Sequence, residues 1–131
     1  MTRADFEAFI MGLPNVQKED NFGYAFFFVG DDRRLPFVTI DDSDNAFDNV
    51  SNLNREGVFR LNIGLGKETF RGLTASLKDE DIDYTALNVF FPHPHYAKQH
   101  VVCILNPEGD NVEKTKRLIE EAHSIAAGRA K

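Results

Sequence analysis

The chain has 131 residues, 42% hydrophobic and 27% charged, which suits one ordinary globular domain spanning 1–131 that buries roughly two thirds of its unfolded surface. A formal net charge of −6 opposes non-specific binding to nucleic acid or anionic membrane, both of which reward clustered cations. The lone Cys103 excludes an internal disulfide and suits a cytoplasmic location, Met1–Asp5 shows no apolar signal-peptide core, and the longest apolar run, Tyr24–Val29, is too short to cross a bilayer.

Thr2–Leu13 reads as a helix, because Phe6, Phe9, Ile10 and Leu13 make one apolar stripe. Thr2 is its expected N-cap, Asp5 favours its first turn, and Pro14 ends it. Phe22–Val29 reads as an aromatic strand, Gly30–Arg34 as a turn, and Leu35–Ile40 as the second strand of a hairpin. Pro36 belongs at a strand start or edge. Asp41–Asn54 is acidic and Asn-rich and is expected as a solvated loop, with room for a short helix around Ala46–Leu53.

Val58–Leu65 is the next expected strand, with Phe59, Leu61 and Ile63 alternating with Arg60 and Asn62. Arg60 and Asn62 therefore face water or line a polar cleft. Lys67–Leu73 is expected as a short helix with Phe70 and Leu73 turned inward, and Leu77–Tyr84 as a charged connector. Thr85–Phe91 fits a helical turn as well as a strand. Pro92 and Pro94 favour an extended path through His93, His95 and His100. Val101–Leu105 reads as an inner strand. The last helix carries Val112, Ile119, Ala122 and Ala126 on one side and starts at Asn106-Pro107 or at Asp110 with Glu113. The order predicts an α+β fold, an antiparallel sheet of about four to five strands with the N- and C-terminal helices packed mainly on one face. Phe26, Phe28, Phe37 and Phe59 are expected in its core.

Two groups of residues carry a resemblance. One is Gly57-Val58-Phe59-Arg60-Leu61-Asn62-Ile63-Gly64 with Glu68-Thr69-Phe70. The other is His93-Pro94-x-Tyr96 with Val101-x-Cys103-Ile104-Leu105-Asn106-Pro107. Together they resemble a bacterial family of small proteins that is a domain of unknown function, over most of the chain. More distantly the layout is similar to the MmcQ/YjbR-like proteins, which implies the same α+β fold and no particular activity. The basic–Trp pair usual in that distant group is replaced here by His100 and Val101.

Three of the four histidines fall within His93–His100, the densest group of side chains that titrate near neutrality or bind metals. In an extended segment His93 and His95 project to one side, so His93, His95 and His100 form a candidate metal set, with Asp81 or Asp83 as alternatives to His100 for the third ligand. The plainer reading is a proline-shaped turn whose histidines bond to backbone or water. Cys103, between apolar neighbours, reads as a small core residue. Gly64–Thr69 lacks the residues of a phosphate loop, and Asp42–Leu53 those of a calcium loop.

The leading reading is a small domain that binds a small ligand or a protein, without enzymatic activity and with no cofactor. His93, Tyr96, Arg60 and Asn62 are its candidate ligand residues, with Arg60 as an anion clamp. The alternatives are an enzyme using His93, His95 and His100, and a nucleic-acid-binding module, which the net charge disfavours. The number of Phe residues leaves room for a homodimer through an exposed sheet face or edge.

Overall fold

A computed structural model describes residues 1–21 and 23–129. The expected strand start at Phe22 lies outside the described residues. The chain runs α1 (Arg3–Met11), β1 (Val16–Asn21), β2 (Tyr24–Val29), β3 (Val38–Asp41), β4 (Arg60–Gly64), α2 (Lys67–Thr74), β5 (Phe90–Pro92), β6 (Val101–Leu105) and α3 (Asp110–Arg129). The described strands form one six-stranded sheet, ordered β1-β2-β3-β4-β6-β5, with every neighbouring pair antiparallel. This is the expected α+β architecture with one more strand than anticipated.

The extra strand is β1. Its Val-Gln-Lys-Glu-Asp-Asn sequence has one apolar residue and is exposed after Val16, so it carries no hydrophobic period to read. It lies on the sheet edge, where charged side chains discourage pairing with another chain. The capping box at α1 forms as the sequence predicts, with Thr2 Oγ1 accepting from Asp5 N–H and the Asp5 carboxylate accepting from Thr2 N–H. The helix stops at Met11, two residues earlier than expected. α3 begins at Asp110 rather than at Asn106, whose side chain instead accepts from Phe59 N–H and donates to Gly57 C=O, tying the end of β6 to the approach to β4.

Strand parity divides the sheet into two faces. On one, Ala25, Phe27, Val38, Ile40, Leu61, Ile63, Val102 and Ile104 join Phe6 and Ile10 of α1 and Leu118, Ile119, Ala122 and Ala126 of α3 in the main core. Phe37 and Phe59 belong to this core, and Phe70 and Leu73 of α2 pack against it. Phe26 and Phe28 do not, because they sit on the opposite parity of β2 from Phe27. Phe26 is half-buried on the other face, and Phe28 lies under the Arg33 guanidinium.

The far face is covered by loops. Leu53, Val58, Phe91, Cys103 and Leu105 form a second small core beneath them, with Ile82 and Tyr84 packed alongside. The 42–59 segment contains no helix, so the short helix expected around Ala46–Leu53 is absent. Nor is it a merely solvated loop. Asp44 Oδ1 accepts from Leu53 N–H, Asn54 Oδ1 from Asp44 N–H, and Asn45 Oδ1 from the N–H groups of Phe47 and Asp48. These side-chain acceptors meet the backbone donors that a helix would have used, which is why the segment stays irregular yet ordered. Arg55 donates to the carbonyls of Ser51, Asn52 and Thr85 and joins this loop to the next one.

Candidate functional site

The alternation in β4 that turns Leu61 and Ile63 toward the helices turns Arg60 and Asn62 toward the far face. Antiparallel register sets Asp41 of β3 opposite Arg60 and Thr39 opposite Asn62. The 42–59 loop then brings Asp48 and Ser51 over the same spot. Arg60, fully buried, donates through Nε to Asn62 Oδ1 (2.9 Å), through Nη1 to Asp48 Oδ1 (3.1 Å) and Ser51 Oγ (3.0 Å), and through Nη2 to Asp41 Oδ2 (2.9 Å) and Asp48 Oδ2. A guanidinium has five N–H donors, and all are in use. Arg60 thus has none left for an anion. The expected anion clamp is replaced by a buried cation neutralised from within.

Asn62 completes the network. Its Nδ2 donates to Thr39 Oγ1 and Asp41 Oδ2, both at 2.8 Å, and its Oδ1 accepts from Arg60 and from the Cys103 thiol at 3.0 Å. Burial pushes that thiol well above its usual range, so Cys103 is a core residue and a weak donor.

The histidine segment meets this network on the same face, coming from the β5 edge of the sheet. β5 ends at Pro92, on the sheet edge where a missing N–H costs nothing, and the chain then turns instead of staying extended. His93 Nδ1 accepts from the backbone N–H groups of His95 (3.0 Å) and Tyr96 (3.1 Å), and its Nε2 lies 3.8 Å from Asp48 Oδ2. The Tyr96 ring packs on His93 with centroids 4.8 Å apart. Burial, then the Arg60 charge, pushes His93 down to about 4, so at neutral pH the ring is uncharged and carries its proton on Nε2.

Burial pushes the Asp41 carboxyl up to about 6, against the pull of Arg60 and the hydrogen bond from Asn62. Burial also works against charge on Asp48, but the hydrogen bond and positive charge of Arg60 outweigh it and hold that carboxyl below its ordinary range.

These residues floor a cleft of about 550 Å³. Its walls are Tyr24, Phe26, Leu35, Pro36, Phe37, Val38, Phe47, Tyr96 and Val101, while Thr39, Asp41, Asp48, Asn62 and His93 meet at the polar end. Residues 1–131 match a family described as a family of unknown function, DUF6194. The chain belongs to this family. No curated protein and no solved structure matches it. In this DUF6194 chain, therefore, the cleft itself carries the functional argument.

Of the sequence candidates, His93, Tyr96 and Asn62 come together on the cleft, with Arg60 buried behind it. His95 reaches the rim, its ring centroid 5.9 Å from that of His93. His100 does not join them. It takes a left-handed backbone conformation (φ 64°) and packs on Phe70 of α2. Among the described residues no three His, Cys, Asp or Glu side chains are grouped to hold a metal ion. The turn opposes metal binding for a second reason. Two backbone N–H groups occupy the Nδ1 lone pair of His93, which forces the proton onto the nitrogen that a metal would need. Asp81 and Asp83 lie in an exposed connector, with Asp83 bonded to Thr85.

Asp41, Asp48, Thr39 and Phe47 also line the cleft, and sequence reasoning missed them as candidates. The usable signal was Arg60 itself. A cation alternating with core residues on an inner strand needs carboxylates, and Asp41–Asp48 is the nearest acidic run before it.

Proposed function

We propose that this protein is a small-ligand-binding domain whose site is the cleft on the far face of the sheet. The observation that carries the reading is the shape and chemistry of that cleft, apolar walls closing on a small set of fixed polar groups. Arg60 acts behind the site. By holding Asn62, Asp41 and Asp48 in fixed positions it spares a ligand the cost of ordering them. His93, Tyr96 and Asn62 are the proposed contact residues, joined by Thr39, Asp41 and Phe47. No described helix is long and apolar enough to cross a membrane. Arg33 pairs with Glu19 and lies over Phe28, Arg34 pairs with Asp32, and Lys116 pairs with Glu113, which supports a partner other than nucleic acid.

Phe47 is the probe of this reading. It lines the cleft yet is 88% exposed, so a bound ligand covers it while folding does not. In a nuclear magnetic resonance screen of single-ring aromatic fragments, Phe47→Ala is expected to weaken hits about tenfold, with unfolding free energy changed by less than about 0.5 kcal/mol. Hits that ignore the substitution, or no hits at all, would count against the cleft. Exposed Leu35 and Tyr96 beside Phe47 favour a second reading, in which an apolar side chain of a second copy or another protein fills the mouth. A concentration-dependent dimer dissolved by Phe47→Ala, with no fragment binding, would select it.

A further inference from the structure

We infer that the cleft selects an uncharged ligand head group with an N–H donor beside a carbonyl-type acceptor, as in a primary carboxamide, a lactam or a nucleobase edge, and turns away carboxylates and phosphates. This rests on the small-ligand reading above and adds the chemistry of the ligand.

Three groups of the network have capacity left over at the polar end, and the Tyr24 hydroxyl, buried with no partner among the described residues, lines the same cleft. Asp41, 3% exposed, uses Oδ2 to accept from both Arg60 and Asn62, while its Oδ1 accepts from none of the described residues. That oxygen is an acceptor. His93, 5% exposed, presents Nε2–H toward the cleft, and 3.8 Å to Asp48 is too long for a hydrogen bond. That nitrogen is a donor. Thr39 Oγ1 accepts from Asn62 and keeps its own hydrogen to donate. The three are held in one network, since Asp48 faces His93 and bonds Arg60, Arg60 bonds Asp41, and Asn62 bonds both Asp41 and Thr39.

A ligand that satisfies them needs N–H for the carboxylate and an acceptor for the imidazole and hydroxyl. Charged groups fit worse. One guanidinium faces two carboxylates and a neutral imidazole, so the ionised network is net negative and repels an anion. An amidinium brings donors only and leaves the His93 N–H unpaired against a positive charge. The aromatic walls Phe26, Phe47 and Tyr96 suit a flat body behind the head group.

Benzamide, benzoate and benzamidinium share one shape and differ in charge and donors. Their affinities for the intact chain are measured by titration at neutral pH, with Phe47→Ala marking the cleft. Benzamide is expected to bind at least about fivefold more tightly than either ion, and the substitution to weaken it. An ion that comes within about fivefold of benzamide, or binds more tightly, overturns the head-group inference and leaves the cleft reading intact. No binding by any of the three, or binding that Phe47→Ala leaves unchanged, overturns both.

Discussion

Replacing Arg60 with methionine is expected to destabilise the fold by roughly 3–5 kcal/mol, a large part of the margin of a domain this size. The loss comes less from the missing arginine than from what it leaves behind. Asp41 stays under the 42–59 loop and Asp48 within it, both with no counter-charge, and Asn62 and Ser51 each lose a donor. Urea unfolding monitored by circular dichroism reads the effect. Adding Asp41→Asn and Asp48→Asn removes the stranded charges and is expected to recover most of the loss, because a buried ion pair is worth little against a neutral replacement. A single Arg60→Met that costs less than about 1 kcal/mol would mean that water reaches the network and screens it.

Two opposed pH dependences are the second large effect. His93 falls from 6.5 to about 4 on folding, so the folded chain binds fewer protons there than the unfolded one. Its contribution, on the order of 3 kcal/mol, is full above pH 6.5 and is lost as pH falls toward 4. Asp41 rises from 3.8 to about 6, so the folded chain holds a proton that the unfolded chain has released. That contribution, also on the order of 3 kcal/mol, is full below pH 3.8 and is lost as pH rises through 6. Between these limits the two cancel, and the parent chain is expected to show nearly constant stability. Each variant uncovers the other group. Asp41→Asn should gain stability from pH 4 to 6.5, and His93→Asn, whose Oδ1 can take over the turn's two N–H bonds, should lose it from pH 4 to 6. Unfolding titrations across that range check the signs. Variants that both follow the parent curve would contradict the burial of the pair.

The sheet was legible where side chains alternate. Phe59, Leu61 and Ile63 against Arg60 and Asn62 announce a strand with two different faces, and the structure buries both sets. β1 was illegible because an edge strand with one apolar residue has no period. The 42–59 loop was misread for a related reason. Its acidic and amide side chains look solvated in sequence, and only the β3–β4 register and the path of the loop show that they serve backbone N–H groups and Arg60. His93 with Tyr96, Asn62 and Arg60 was legible as a group. The role of Arg60 was not, because its neutralisation depends on Asp41 and Asp48, residues 19 and 12 positions away in sequence. The separation of His100 follows from one backbone conformation at φ 64°, for which a non-glycine residue gives no clear warning.

The claim that the far-face cleft is the binding site is tested most directly by titrating benzamide into ¹⁵N-labelled protein and following every backbone amide. The account predicts saturable shifts concentrated at Thr39, Asp41, Phe47, Asn62 and His93, with the main core of α1, α3 and the opposite sheet face unmoved. Shifts centred elsewhere, or none at those five residues at saturating benzamide, would contradict it.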